Sequence, residues 1–151
     1  MRLVGIISDT HGLIRPQALD ALRGSDLILH AGDVGSLSIL EALKTIATTV
    51  AVSGNVDDKD SGLPATALVE AGPALIYTIH DLDDLDIDAA GLGVQIIVSG
   101  HSHKPFQTER EGLLYINPGS AGPRRFRLPV SIAKLDVTKR PWWATFIELK
   151  L

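Results

Sequence analysis

Polar residues able to bind a metal ion follow several short apolar segments of this chain. They are aspartate, asparagine and histidine residues, namely Asp9, His11, Asp33, Asn55, His80, His101 and His103. Among the five histidines of the chain, only His30 lies outside this set. Taken singly, Asp33, Asn55 and His80 are more typical of structural residues such as those of turns, whereas His101 and His103, separated by one residue, fit a ligand role equally well. Together they favour a metal site, because buried polar groups without partners cost about 1–3 kcal/mol each.

The chemistry of this set limits the metal. Cysteine is absent, so disulfides are excluded and any ion must take oxygen and imidazole ligands. Such ligands suit Mn²⁺, Fe²⁺, Zn²⁺ and Ni²⁺, and suit Mg²⁺ less well. Seven ligands exceed those of one tetrahedral ion, and two ions sharing a carboxylate explain them more simply. We therefore expect two divalent metal ions, with Mn²⁺ as the preferred metal.

The elements that must position these residues alternate between strands and helices in the first half of the chain. Apolar runs predict three buried strands, at Leu3–Ser8, Leu27–His30 and Thr48–Val52. Pro16 and Gly24 bracket a first helix, and Ser38 with Glu41 has capping-box spacing for a second. This alternation predicts βαβ units, and in open α/β sheets ligand sites form at the carboxyl ends of the strands.

The second half of the chain is predicted to be mainly β. Six strand-like segments are mostly linked by turns with Gly or Pro: Thr66–Val69, Leu75–Ile79, Val94–Ser99, Leu113–Ile116, Val130–Leu135 and Ala144–Leu149. Between them, Leu82–Leu92 fits either a short helix or a loop. The five aspartates from Asp81 to Asp88 favour a solvated face over a third metal site.

Length and composition indicate a soluble globular protein. The 151 residues correspond to a single domain, 1–151. The hydrophobic fraction of 45% with 21% charged residues excludes disorder, collagen and coiled coil. A net charge of −4 argues against broad nucleic-acid binding. The first apolar run is too short for a signal peptide or membrane span, so we expect a cytoplasmic protein with no membrane partner. A homo-oligomer is left open.

The ordered motifs resemble those of the calcineurin-like metallophosphoesterase superfamily. The matching segments cover nearly the whole chain and are Asp9-Thr10-His11, Gly32-Asp33, Gly54-Asn55, a strand ending in His80, Gly100-His101-Ser102-His103 and Asn117-Pro118-Gly119-Ser120. The last segment resembles a motif of the small phosphodiesterase branch of this superfamily, which includes YfcE-type enzymes and Vps29. The resemblance implies an α/β fold, a four-layer αββα sandwich of two mixed β-sheets flanked by helices.

The resemblance also implies a role for each ligand. One ion would be held by Asp9, His11, Asp33 and His103. A second ion would share Asp33 as a bridge and be held also by Asn55, His80 and His101. Within this set, the catalytic residues would be Asp33, Asn55 and His101, with the last two nearest the phosphate oxygens.

Several residues outside the ligand set need an interpretation. Val56 stands where many superfamily members have a histidine, as is usual in the small branch, and Asp81 stands where that branch often has glycine. His30 is interpreted as a hydrogen-bonded structural histidine. Arg124 heads an arginine cluster and is either a phosphate contact or a surface residue. Asp57 is either a support for a ligand imidazole or a turn residue.

These inferences predict a dinuclear metal-dependent phosphoesterase, and more specifically a phosphodiesterase. It would hydrolyse a small phosphate-ester substrate by attack of a metal-bridging hydroxide. A phosphomonoesterase using the same site is the alternative within the enzyme class. A non-catalytic protein-binding scaffold of the Vps29 kind, whose metal site is impaired by a replaced ligand, is the alternative from another class. All seven ligand positions of this chain hold competent residues, which favours the enzyme.

Overall fold

One five-stranded sheet carries the first three predicted strands. In the computed structural model, which describes residues 1–151, it contains β1 (Leu3–Ile7), β2 (Leu27–His30), β3 (Thr48–Ala51), β9 (Ser131–Asp136) and β10 (Thr145–Glu148). The strand order is β10-β9-β1-β2-β3. β1, β2 and β3 are parallel, whereas β9 and β10 run antiparallel to their neighbours. The parallel strands therefore end at one edge of the sheet.

A second five-stranded sheet is formed by the middle of the chain. It contains β4 (Thr66–Ala71), β5 (Ala74–Ile79), β6 (Ile96–Val98), β7 (Pro105–Arg110) and β8 (Leu113–Pro118), in the order β4-β5-β6-β8-β7. β5, β6 and β8 are parallel, and the edge strands β4 and β7 are antiparallel. Strand β7 was not predicted, because this edge strand is largely polar and has no buried residue.

The helices are short. They are α1 (Pro16–Leu22), α2 (Leu37–Lys44) and α3 (Ala89–Leu92), and none has the length and hydropathy needed to cross a membrane. The predicted capping box at Ser38 and Glu41 is wrong. Ser36 is the N-cap of α2, because its backbone is extended and its side chain accepts a hydrogen bond from the Ser38 N–H group.

The ambiguous segment Leu82–Leu92 forms two helical turns separated by a loop. A 3₁₀ turn covers Leu82–Asp84, and α3 follows at Ala89–Leu92. Asp81 is half-buried, whereas the other four aspartates of this region are exposed. The predicted solvated face thus agrees with the exposure of these side chains.

Three apolar clusters define four layers. The first lies between the sheets and includes Val4 and Ile6 of β1 and Ile76 of β5. The second packs the other face of the first sheet, with Ile7, against α1 and α2. The third packs the outer face of the second sheet, with Ile97, against the Leu82–Leu92 segment. The fold is therefore the predicted α/β sandwich, and the period-two alternation of β1 assigns its side chains to opposite layers.

Candidate metal centre

The predicted ligands lie in loops that follow strands of both sheets. Asp9 and His11 follow β1, Asp33 follows β2, and His80 follows β5. Five of the seven non-glycine residues with a positive φ belong to the predicted set, and these five are Asp9, His11, Asp33, His101 and His103. Such left-handed backbone is uncommon, although Asp and His tolerate it better than most residues. Its concentration here supports a functional site.

Glycine allows the loops to approach one another closely. A Cβ atom at Gly54 would overlap the carboxylate and backbone of Asp33, and one at Gly32 would overlap the imidazole of His80. Both positions therefore require the smallest residue for steric reasons. The glycines of the Gly32-Asp33 and Gly54-Asn55 motifs bring the ligand loops into contact.

Two carboxylates lie at the centre of the cluster. Asp33 Oδ2 is 3.3 Å from His80 Nε2 and 3.5 Å from His11 Nε2. Asp9 Oδ1 is 3.4 Å from His103 Nε2, 3.8 Å from His11 Nε2 and 3.9 Å from His80 Nε2. Ligand atoms on one ion with bonds of about 2.1 Å are about 3.0–3.4 Å apart in octahedral or tetrahedral geometry. The shorter of the observed separations are close to these values.

These five residues form two compact groups that share Asp9. One group is Asp9, His11 and His103, and the other is Asp9, Asp33 and His80. The family resemblance implied Asp33 as the shared ligand, whereas the compact groups share Asp9. Asp33 Oδ2 nevertheless lies near imidazoles of both groups, so its role as a bridge stays a prediction.

Three atoms that could bind a metal ion face this centre and have no hydrogen-bond partner. Asp9 Oδ1, His11 Nε2 and His80 Nε2 are all buried and unpaired. Leaving such atoms unpaired is costly in a folded protein. Carboxylate oxygen and imidazole nitrogen are ligands that Mn²⁺, Fe²⁺ and Zn²⁺ accept. The residues present therefore fit divalent cations.

Hydrogen bonds hold the opposite atoms of Asp9, Asp33 and His80. Asp9 Oδ2 accepts from the Ser8 hydroxyl at 2.7 Å and from the His101 N–H group at 3.1 Å. Asp33 Oδ1 accepts from the Val56 N–H group at 2.9 Å. His80 Nδ1 donates to the Ala31 carbonyl at 2.7 Å, which leaves Nε2 as the free ligand atom. Asp9, Asp33 and His80 are thus oriented before any ion binds, whereas His103 Nδ1 is buried without a partner.

Electrostatics couples Asp33 to His80 in the metal-free chain. Burial opposes the charged form of Asp33, but the ion pair with His80 and the hydrogen bond from the Val56 N–H group hold the pKa of Asp33 well below its ordinary value. Burial likewise opposes charge on His80, but the ion pair with Asp33 and the hydrogen bond to the Ala31 carbonyl raise its pKa to about 9. Because imidazole ligands bind metal in the neutral form, an ion must displace this proton.

His30 connects two ligand loops without facing the centre. Its buried ring accepts from the Gly32 N–H group through Nδ1 at 3.2 Å, and its Nε2 donates to the Thr10 hydroxyl at 3.0 Å. Thr10 in turn donates to the Val34 carbonyl at 2.9 Å. Burial lowers the pKa of His30 to about 4 and keeps the ring neutral. The side chain therefore connects the Asp9 loop to the Asp33 loop.

Asn55 and His101 lie at the rim of the cluster. Asn55 is exposed and lines, with His80 and Asp81, a cavity of about 310 Å³. His101 is also exposed, and its Nε2 atom is 3.6 Å from Asp81 Oδ2. Its ring is 5.2 Å from that of His80. His101 lies outside both compact groups, and it and Asn55 are more open to solvent than the other ligands.

Arg124 lies beside the opposite side of the centre. With Pro123 and Arg125, it lines a cavity of about 250 Å³ whose other walls are His11 and His103. Arg124 Nε also donates to the Leu128 carbonyl at 3.4 Å. A larger groove of about 480 Å³ lies beside α3 and contains none of the predicted ligands. The cavity lined by Arg124 and Arg125 therefore places positive charge next to the predicted ligands His11 and His103.

The supporting role of three residues was not predicted from the sequence. Ser8 holds Asp9, as described above, and the Ser120 hydroxyl donates to the Asp9 carbonyl at 3.0 Å. The Asn117 amide donates to the Gly100 carbonyl at 2.9 Å and to the Ser102 hydroxyl at 3.1 Å. The Asn117–Ser120 motif was the available signal, but its contacts lie far along the chain and cannot be read from spacing.

Comparison with known proteins identifies the family. Residues 1–140 match the model of the calcineurin-like phosphoesterase superfamily domain. The chain belongs to this superfamily. A relative from Methanocaldococcus jannaschii, named a probable metallophosphoesterase, is 40% identical over 149 residues, which cover 89% of this chain and 76% of the relative. Family membership and the ligand cluster together support the binding of divalent metal.

Solved structures show the same fold. Vps29 of Entamoeba histolytica in complex with Zn²⁺ superposes with a TM-score of 0.74 at 25% identity, covering 98% of this chain and 99% of that chain. A protein described as a novel archaeal phosphodiesterase gives a TM-score of 0.75 at 20% identity, covering 96% and 99%. The superfamily sandwich thus occurs both in a phosphodiesterase and in Vps29.

Proposed function

We propose that this protein is a metal-dependent phosphodiesterase that binds two divalent ions, with Mn²⁺ as the expected metal. The observation that carries the proposal is the pair of ligand groups around Asp9, where buried oxygen and nitrogen atoms without partners face one another. Membership of the superfamily supports a phosphoesterase. An archaeal phosphodiesterase with the same fold makes diesters the first substrates to test.

The proposed ligands would hold two ions between them. The first is assigned to Asp9, His11, Asp33 and His103. The second is assigned to Asp33, Asn55, His80 and His101. Two divalent ions supply a polarised phosphoryl group, an activated water and neutralisation of charge that develops during in-line displacement. The position of Asp33 Oδ2 between His11 and His80 supports its assignment as the bridge.

The residues at the rim orient the substrate. Asn55 and His101 are exposed, so their polar groups can contact phosphate oxygens. Arg124 and Arg125 line the neighbouring cavity, and a guanidinium group matches phosphate oxygens in charge and geometry. The cavity beside Asn55 is lined by Asp81 and Asp84 instead. We therefore assign the phosphate to the centre, between Asn55 and His101 on one side and the arginines on the other, and an uncharged or cationic ester substituent to the cavity lined by Asp81 and Asp84.

A protein-binding scaffold is the second candidate, and the similarity to Vps29 is the observation that favours it. A scaffold needs the fold but does not need ligand atoms directed at one point. In this chain five buried or half-buried side chains meet there, and three of their donor atoms are unpaired. This arrangement favours the enzyme.

Hydrolysis of two chromogenic substrates tests the proposal. Protein freed of metal and then supplied with Mn²⁺ is assayed with bis(p-nitrophenyl) phosphate and with p-nitrophenyl phosphate. We expect hydrolysis to require the metal and kcat/KM to be higher for the diester. Elemental analysis and anomalous scattering measure how many ions bind and where. A preference for the monoester would instead support a phosphomonoesterase.

Asp33→Asn is the informative variant. It keeps an oxygen that can accept from the Val56 N–H group but replaces the oxygen that faces His11 and His80. We expect kcat/KM to fall by more than about 100-fold, because loss of an outer-shell partner alone costs about 10–100-fold. Asp58→Asn is the matched control, since Asp58 is exposed and its side chain caps no N–H group. A wild-type protein with two bound ions and no phosphoesterase activity would favour the scaffold.

A further inference from the structure

The carboxylate of Asp57 is held entirely by backbone N–H groups of two ligand loops. Oδ2 accepts from the Gly54 N–H group at 2.9 Å and from the Val34 N–H group at 3.1 Å. Oδ1 accepts from the Gly35 N–H group at 2.9 Å. Val34 and Gly35 directly follow the predicted ligand Asp33, and Gly54 directly precedes the predicted ligand Asn55. One side chain therefore contacts the backbone beside two ligands.

The same two loops are joined in the opposite direction. Asp33 Oδ1 accepts from the N–H group of Val56, the residue directly before Asp57. The Asp33 loop thus donates to Asp57, while the Asp57 loop donates to Asp33. A Cβ atom at Gly54 would overlap Asp33, so the two loops already touch between these hydrogen bonds. This reciprocal pair of carboxylates fixes the separation of the two loops.

No other role for Asp57 accounts for these contacts. The side chain forms no ion pair with lysine, arginine or histidine, so the interpretation that it supports a ligand imidazole is wrong. A turn residue needs only a local bond, whereas two of its three partners lie more than 20 positions away. Hydrogen bonds to an ionised carboxylate are about twice as strong as neutral ones.

We propose that Asp57 is a positioning residue that holds Asp33 and Asn55 at the separation needed to bind the ion on the Asp9, Asp33 and His80 side. This inference rests on the proposed function, because it assumes that these residues bind an ion. Asp57 acts through the backbone and touches neither the ion nor the substrate. The other ion shares Asp33 but is held also by Asp9, His11 and His103, none of which forms a hydrogen bond with the Asp57 side chain, so we expect that ion to be affected less.

Metal affinity measured with Mn²⁺ alone tests this role. Wild type, Asp57→Ala and Asp57→Asn are titrated with Mn²⁺ in competition with a chromophoric chelator, well below the unfolding temperature. We expect Asp57→Ala to weaken one of two binding steps by about 10–100-fold, the range for loss of an outer-shell partner. Anomalous scattering from Mn²⁺ should show the lost occupancy beside Asp33 and His80. Asp57→Asn keeps one accepting oxygen, so its Mn²⁺ affinity should fall between those of wild type and Asp57→Ala.

Controls separate positioning from general destabilisation. Asp58→Ala removes the same charge from the adjacent exposed residue and should leave both binding steps within about twofold of wild type. If Asp57→Ala does not fold, Asp57→Asn carries the test. Equal weakening of both steps would indicate a general structural role and overturn the proposal, as would unchanged affinity in both variants. A wild type that binds fewer than two ions would contradict the proposed dinuclear site instead.

Discussion

Mild acid should destabilise the metal-free protein through His30. In the unfolded chain this histidine takes up a proton near its ordinary pKa of 6.5, whereas in the folded protein burial lowers its pKa to about 4. Between these values the unfolded state binds a proton that the folded state does not. The contribution of His30 to the free energy of unfolding is therefore complete above pH 6.5 and decreases as the pH falls towards 4.

The magnitude follows from the two pKa values. Each unit of pKa difference corresponds to about 1.4 kcal/mol, so protonation of His30 removes about 3 kcal/mol in total and about 1.5 kcal/mol between pH 6.5 and pH 5. Asp33 has a lowered pKa, so its contribution is lost only as the pH falls below about 4.5. His80 has a raised pKa, so its contribution is lost above pH 6.5. The interval from pH 5 to pH 6.5 thus reports on His30.

Urea unfolding in the presence of chelator, followed by tryptophan fluorescence at several pH values, measures this slope. His30→Asn removes the titrating ring but keeps an oxygen that can accept from the Gly32 N–H group. The variant should be less stable than wild type at pH 7, because its bond to Thr10 is lost, and its stability should change little between pH 6.5 and pH 5. His101→Asn, which removes an exposed ring, should keep the wild-type slope. A wild type with constant stability over this interval, or a variant with the same slope, would refute the reasoning.

Three further outcomes are expected. Arg124→Ala should lower kcat/KM by a factor that corresponds to about 1–3 kcal/mol, whereas Arg127→Ala, outside the cavity of Arg124, should leave it unchanged; steady-state kinetics with the diester decides. Chelation should lower the free energy of unfolding by about 2.7 kcal/mol for each bound ion, relative to protein at a free metal concentration of 100 times Kd, measured by thermal or urea unfolding. Because the exposed Val56 has no acidic proton to donate, aryl diesters with acidic phenols should react faster than alkyl diesters, and a flat plot of log kcat/KM against leaving-group pKa would indicate another proton donor.

Local sequence patterns predicted the candidate site residues that lie just after the ends of strands. Asp9, Asp33 and His80 each come within three residues of the end of an apolar strand, and such runs are visible without any knowledge of the fold. The existence of β1, β2 and β5 is encoded in the same short segments. The βαβ pattern makes the carboxyl ends of β1 and β2 converge, whereas the end of β5 reaches the same place because the second sheet packs against the first.

Features that depend on distant partners could not be predicted in this way. Strand β7 lies at a sheet edge, so it needs no apolar run, and its pairing with β8 becomes evident only in three dimensions. The contacts of Asp57 and Asn117 join segments 15 or more residues apart in sequence, without a periodic signal. The N-cap of α2 was misplaced by two residues because two serines of similar propensity, Ser36 and Ser38, are separated by only one residue at the helix start.

The metal centre depends on the packing of the two sheets against each other. Asp9, His11 and Asp33 follow strands of the first sheet, whereas His80 and His103 follow strands of the second, so no single sheet contains the whole site. In the metal-free chain these residues combine left-handed backbone at four positions with buried, unpaired ligand atoms, and both features oppose folding. The apolar cluster between the sheets must offset this cost. A preorganised metal centre requires such unpaired ligand atoms, even though they lower the stability of the metal-free protein. A fold used only for protein binding would instead gain stability from apolar residues at the same positions.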